Sequence, residues 1–183
     1  YMALVKYNNN SISAVTSASS IPVGAMTHIK TLTASSSATL SFVDGSNDVV
    51  LDSTYPIDNV DFTFNMSTDG GSNYNVTKTT TAFYAFHNEA GSSSALGYSG
   101  GGDLAQSTGE QSLSPAGKLS ADADHGFSGN LTLFNPNSST FVKHFLAKMQ
   151  YVDASDYSEN DFVAGYGNTQ SPINAIRFQM SSG

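Results

Sequence analysis

The chain has 183 residues, enough for one domain with a substantial hydrophobic core. It contains no cysteine, which excludes disulfide frameworks, thiolate metal sites and cysteine nucleophiles. A formal net charge of -8 argues against a protein that binds nucleic acid or anionic lipid. Only 12% of the residues are charged, so we expect a neutral surface rich in serine and threonine hydroxyls.

Residues 1–20 are predicted to form an N-terminal arm, and residues 21–183 a single domain. The arm contains an asparagine triplet followed by a Ser/Ala tract, a composition typical of segments that order only against a neighbouring surface. Its start lacks the pattern of a signal peptide. No apolar run reaches the length that spans a bilayer, so we expect no membrane insertion.

The hydrophobic periodicity along the chain is close to two, which predicts β-strands. In the clearest run, residues 60–66, the side chains of Val60, Phe62 and Phe64 share one face and polar residues occupy the other. Weaker runs lie at 26–33, 38–43, 49–51, 76–86, 129–134, 141–152 and 176–180. We predict an all-β fold, an antiparallel β-sandwich that is jelly-roll-like, with little or no helix. Any helix is expected at residues 155–162.

A turn motif follows the strand at 60–66 and resembles the Asp-box hairpin of several β proteins. Its residues are Ser67, Asp69, Gly70, Gly71 and Tyr74. An aspartate can accept backbone hydrogen bonds within a turn, and glycines can adopt positive φ. We therefore assign these residues a structural role in a β-hairpin turn.

Residues 91–102 are rich in glycine and serine and are predicted to form a long loop. Residues 97–101 match the G-x-S-x-G pattern of hydrolase nucleophile elbows. That pattern requires a strand before the serine and a helix after it, and no helix is predicted here, so we reject the catalytic interpretation. Instead we predict a contact loop formed by Tyr98, Ser99 and Gly100.

No cofactor and no metal site is predicted. The four histidines are dispersed, without the short spacings that place two imidazoles on one face. Acidic residues near His125 and at 153–161 suggest an oxygen-rich calcium site as an alternative, but they lack the spacing of a calcium loop. Hydrolysis of a polysaccharide by two of Glu89, Glu110 and Glu159 is a remote alternative.

Three stretches carry a resemblance to a known family: residues 2–15, residues 80–89 and residues 173–183. Together they resemble small virion structural proteins, fibre-like or decoration proteins, of tailed bacteriophages that infect marine bacteria. The resemblance implies a non-enzymatic protein of the virion, assembled in the host cytoplasm. It further implies self-association as a homo-oligomer, such as a trimer, and contact with other virion proteins. It transfers no active site.

A second hypothesis is a receptor-binding module of a phage fibre that recognises a host glycan or protein. Tyrosines next to serine, glycine and asparagine, as at Tyr98, are typical of adaptable contact surfaces. The position of residues 91–102 discriminates between the two functions. Burial between subunits would favour assembly, and exposure at a tip would favour adhesion.

Overall fold

The computed structural model describes residues 39–43 and 59–182. This part of the chain forms nine β-strands and contains no helix, so none that could cross a membrane. The strands are β1 (Thr39–Val43), β2 (Phe62–Ser67), β3 (Lys78–Asn88), β4 (Ser94–Tyr98), β5 (Gln111–Ser112), β6 (Phe127–Leu133), β7 (Lys143–Val152), β8 (Tyr157–Gly167) and β9 (Ala175–Met180). The predicted arm at 1–20 and the predicted strands at 26–33 and 49–51 lie outside the described residues.

The strands form two antiparallel sheets, which confirms the predicted all-β sandwich. One sheet has four strands in the order β1-β9-β2-β5, and the other has five in the order β4-β3-β8-β7-β6. The larger sheet is built on long ladders, with eleven residue pairs joining β3 to β8 and ten joining β7 to β8. Its three central strands are therefore paired along their whole length.

The two sheets pack through aromatic side chains. The ring of Phe64 on β2 meets that of Phe145 on β7 edge to face, with centroids 4.9 Å apart. Phe62 meets Phe127 on β6 in the same way at 5.0 Å. Both Phe64 and Phe145 are almost completely buried. Edge-to-face packing suits the quadrupoles of the rings and adds to the stabilisation from buried apolar area.

The strand β2 is buried on both faces, although its sequence alternates between apolar and polar residues. Its polar residues Thr63 and Asn65 are as inaccessible as Phe64. The amide of Asn65 donates hydrogen bonds to the backbone carbonyls of Tyr74 and Thr108, 2.8 and 3.1 Å away. Loop segments therefore cover the outer side of β2 and satisfy its polar groups, as burial requires.

The helix predicted at 155–162 is wrong, because this segment forms a turn and the start of β8. One carboxylate oxygen of Asp153 accepts hydrogen bonds from the backbone N–H groups of Ser155 and Tyr157, both at 2.9 Å. Asp156 takes a positive φ of 62° within this turn, a conformation that aspartate tolerates better than most residues. The acidic residues that follow, Glu159 and Asp161, lie on the same buried face of β8.

Candidate interaction surface

The outer face of the five-stranded sheet, the side that points away from the smaller sheet, carries a row of aromatic side chains. Strand register places Tyr98, Phe83, Phe162 and Lys148 next to one another on four adjacent strands. The rings of Phe83 and Phe162 stack with centroids 4.7 Å apart and planes 7° apart. The ammonium group of Lys148 lies 5.3 Å from the centroid of Phe162, within the range of a cation–π contact. We call these four residues the aromatic row.

A shallow groove of about 480 Å³ lies beside the aromatic row on the same face. Small residues of β3 and β8, among them Thr81 and Ala164, form its floor. Phe134, Leu146 and Tyr166 are among the larger side chains that line it. Its volume falls in the range of small-ligand sites, and its lining is mainly apolar, as is usual for such sites.

Large apolar side chains are exposed on this face to an unusual degree. Leu96 is 77% exposed, Tyr98 60% and Leu146 52%, with Phe134 and Phe83 close behind. Singly exposed apolar residues are ordinary, but a contiguous set marks an interaction surface. The outer face of the larger sheet is therefore the candidate functional surface of the described part of the protein.

Charge is nearly absent from the same face. Of the outward-facing positions of β3, β4, β7 and β8, only Lys148 carries a Lys, Arg, Asp or Glu side chain. These outward-facing positions include no Asp or Glu, although the chain as a whole carries a net charge of -8. A partner that docks here pays little desolvation penalty for charged groups.

The long loop predicted at 91–102 is wrong in part, because residues 94–98 form strand β4, which pairs with β3 as a hairpin. The alternation of apolar and polar residues was not recognised in β4, because the strand is short and includes Gly97. A Cβ at Gly97 would lie 2.9 Å from the ring of Tyr84, so a larger residue there would require that side chain to shift. The segment is largely exposed at the edge of the sheet.

The three residues of the predicted contact loop have different environments. Tyr98 is exposed, and its hydroxyl donates a hydrogen bond to the carboxylate of Asp103. Ser99 is buried, and its hydroxyl donates to the backbone carbonyl of Pro115 at 2.8 Å. Gly100 is exposed in the following turn. Only Tyr98 therefore contributes a side chain to the candidate surface.

The predicted Asp-box-like turn is a compact hydrogen-bonded unit. The carboxylate of Asp69 accepts hydrogen bonds from the side chain and the backbone N–H of Asn73, at 2.7 and 2.9 Å. The hydroxyl of Ser67 donates to the same carboxylate at 2.7 Å. Hydrogen bonds from the Asn73 side chain, Ser67 and the Asn73 backbone lower the pKa of Asp69 to about 2. Gly70 and Gly71 adopt positive φ values of 72° and 86°.

This turn is not a hairpin, so that part of the prediction is wrong. It follows β2 in the four-stranded sheet, but the next strand, β3, belongs to the five-stranded sheet. Both edges of β2 are already occupied, by β9 and β5. The chain therefore crosses to the other sheet, and Tyr74 lies on this crossing with its ring 4.5 Å from the guanidinium of Arg177.

Three buried acids lie at the opposite end of the larger sheet from Lys78. Asp161 accepts a hydrogen bond from the hydroxyl of Tyr151 at 2.8 Å, and burial raises its pKa to about 6. Burial, with the charges of Asp161 and Asp153, raises the pKa of Glu159 to about 7. Asp161 and Glu159 face the core, and burial raises the pKa of both carboxyls above the usual range, so their chemistry bears on stability. No motif in the sequence marks them, because alternation alone decides which acids point inward.

Among the described residues, no cluster of ligands supports the calcium site that was considered as an alternative. A nitrogen of His125 lies 3.2 Å from the carboxylate of Asp156 and 3.9 Å from that of Asp124. No group of three or more His, Asp or Glu side chains in residues 39–43 and 59–182 is arranged to hold a metal ion.

Two of the three glutamates of the hydrolase alternative, Glu110 and Glu159, lie far apart. Glu89 is exposed in the turn between β3 and β4. Glu110 lies near Lys78, whose neighbour on β8 is Gly167. Glu159 is eight residues from Gly167 on the same strand, which corresponds to about 26 Å. Paired catalytic carboxylates of glycosidases lie within about 10 Å of each other.

No family model, curated protein or solved structure matches this chain. The resemblance to phage virion proteins therefore stays a prediction.

Proposed function

We propose that the protein is a non-enzymatic structural component of a phage virion, a capsid decoration or tail-fibre protein, that assembles as a homo-oligomer. The observation that carries the proposal is the exposed, nearly uncharged outer face of the five-stranded sheet. A protein that works as a monomer rarely leaves so many large apolar side chains in water on one face. In an assembly, modest contacts of this kind are repeated by symmetry and add up.

The chemistry of this face also suits a particle that meets high salt. Above 0.5 M salt the Debye length falls to roughly 3–4 Å, and exposed ion pairs lose most of their value. Aromatic contacts and burial of apolar area are not weakened by screening. An interface built on the aromatic row and Leu146 would persist where one built on salt bridges would not.

The test is the protein content of purified virions. We expect the chain to be present in many copies per particle and to remain after a wash in 1 M salt. A Phe83→Ser variant should be incorporated poorly. The matched control is Phe141→Ser, because Phe141 is 69% exposed but lies between β6 and β7, outside the outer face. Absence of the wild-type protein from purified particles would overturn the proposal.

A second candidate, a glycan-binding module, is favoured by the polar groups that border the aromatic row. Asn160 and Gln150 are outward neighbours on β8 and β7, in the register next to Phe162 and Lys148. Aromatic rings can stack on the C–H faces of sugars while amides bond their hydroxyls. A glycan array probed with the wild type and Phe162→Ser tests this function. Binding lost in the variant would favour it, and no binder at high protein concentration would count against it.

A further inference from the structure

Within residues 39–43 and 59–182, no strand pairs with the outer edge of β4, at one end of the five-stranded sheet. Among the described strands it pairs with β3 alone. Its five residues include no charged side chain and no proline. Natural proteins usually protect such an edge with lysine, proline, a bulge or a covering segment, because an open apolar edge recruits another strand. An unprotected edge next to the aromatic row is therefore a feature that needs a partner.

The hydrogen bonds to β3 identify which backbone groups of β4 are open. Asn88 donates its N–H to the carbonyl of Ser93, and Ser99 donates to the carbonyl of Ala82, both at 2.9 Å. In an antiparallel ladder the bonded residues alternate, so the odd-numbered residues of β4 bond to β3. The N–H and C=O groups of Ser94, Leu96 and Tyr98 accordingly point to the open edge.

The open groups form a set that is symmetric about Leu96. Ser94 and Tyr98 lie two residues on either side of it, and each of the three residues offers one donor and one acceptor. An antiparallel copy of the same strand, centred on Leu96, presents each donor to an acceptor. The edge is therefore complementary to itself, which is the property of an isologous interface.

We infer that β4 pairs antiparallel with β4 of a second copy of this chain, with Leu96 opposite the partner's Leu96 and Ser94 opposite the partner's Tyr98. The inference rests on the proposed function, since it adds a contact between two copies at the strand edge beside the apolar outer face, which stays available for further contacts in the homo-oligomer. Pairing joins two five-stranded sheets into one of ten strands and keeps both aromatic rows on the same side. The side chain of Leu96, which is 77% exposed in the single chain, is covered at the two-fold axis.

Electrostatics permits this pairing despite the acidic character of the chain. Two copies repel at long range because each carries a net charge of -8. The strand itself is neutral, so no like charges meet when the edges pair. A five-residue strand buries less area than a stable dimer needs, so we expect weak pairing at low salt that strengthens as salt screens the repulsion.

Engineered cysteines can read the register directly, because the chain has none of its own. Opposed residues in a hydrogen-bonded antiparallel pair have Cα atoms about 5.5 Å apart, within the range of a disulfide. In Leu96→Cys the two thiols therefore meet across the axis. In Ser94→Cys, the matched control on the same strand and face, the two Cα atoms are four residues apart, roughly 14 Å, and cannot be bridged.

The full-length variants are oxidised with copper phenanthroline at 1 M salt, and the dimer is measured on non-reducing gels. We expect Leu96→Cys to form at least about tenfold more dimer than Ser94→Cys, since only the first satisfies disulfide geometry. Equal amounts from the two variants, or none from either, would overturn the inference. Absence of cross-linking would mean that the edge stays open or is covered by another segment of the chain.

A second measurement separates this inference from the proposed function. Light scattering should show that Leu96→Lys, an exposed and therefore tolerated change, weakens self-association at least about tenfold by placing two charges at the axis. If the wild type is oligomeric and this variant is equally so, the edge pairing is overturned while the homo-oligomer stands. The presence of the protein in purified virions remains the separate test of the function.

Discussion

Replacement of Asp161 by asparagine should make the stability of the fold less dependent on pH. Asp161 on β8 is completely buried between its neighbours Tyr84 on β3 and Met149 on β7. The variant keeps the shape of the side chain. Its amide oxygen can accept the hydrogen bonds that Tyr151 and the backbone of Ala116 donate to one carboxylate oxygen. The other oxygen has no hydrogen-bond partner among the described residues, so its replacement breaks no bond seen there.

The magnitude follows from the shift in pKa. Burial raises the pKa of Asp161 from 3.8 to about 6, so the folded protein binds more protons than the unfolded chain between these values. Stability therefore falls as the pH rises through this window. At about 1.4 kcal/mol per pKa unit, the contribution of Asp161 between pH 4 and pH 8 is roughly 2 kcal/mol. Glu159, whose pKa is also raised, to about 7, adds to the loss in the same direction.

The assay is urea denaturation of the wild type and Asp161→Asn at pH 4 and pH 8. For each pH, the unfolding free energy of the wild type is subtracted from that of the variant. This difference should be about 2 kcal/mol more positive at pH 8 than at pH 4, because only the wild type loses the contribution of protonated Asp161. Any loss of stability that the asparagine causes equally at both pH values cancels in this comparison. The control is Glu89→Gln, which removes an exposed carboxylate and should change neither value. An Asp161→Asn difference that is equal at both pH values would refute the reasoning.

Three further predictions concern the fold. Phe64→Ala should cost about 3–5 kcal/mol in urea denaturation, because Phe64 is fully buried against Phe145; a cost below about 1 kcal/mol would contradict that packing. Gly165→Ala should destabilise by about 1–3 kcal/mol, since its Cβ would lie 2.5 Å from the backbone oxygen of Thr79, and an unchanged midpoint would disprove the close approach. In an NMR titration the carboxyl of Asp69 should titrate near pH 2, and Asn73→Ala should raise that midpoint; no rise would show that Asn73 is not the main cause.

The sequence predicts best those strands whose apolar residues occupy every second position and therefore lie on one face. The run at 141–152 became β7, whose inward residues Phe145 and Met149 are buried while Leu146 and Lys148 are exposed. The strand β4 was missed because it is short and interrupted by Gly97. The first half of β8 fell within the one segment, 155–162, where a helix was considered, because Glu159 and Asp161 are acidic yet point inward. Burial of an acid depends on neighbouring strands, which periodicity does not reveal.

The candidate surface was only partly predictable. Tyr98 was chosen for its composition, but Phe83 and Phe162 were assigned no role. The sequence did contain an indication of this surface, because the run from Ala82 to Phe86 is apolar on both faces of the strand. Such a strand either is buried on both faces or carries an interaction surface on one of them. The stacking of Phe83 on Phe162 depends on the register of β3 against β8, which joins residues almost eighty positions apart in the chain.

The mass of the protein in solution tests most directly the proposal that it works by self-assembly through an apolar face. Light scattering behind a sizing column, at protein concentrations up to millimolar and at 0.1 M and 1 M salt, gives the mass of the full-length wild type. We expect a defined multiple of the protomer mass that persists or grows as salt increases, because apolar contacts are not screened. A monomer at every concentration and salt would contradict it.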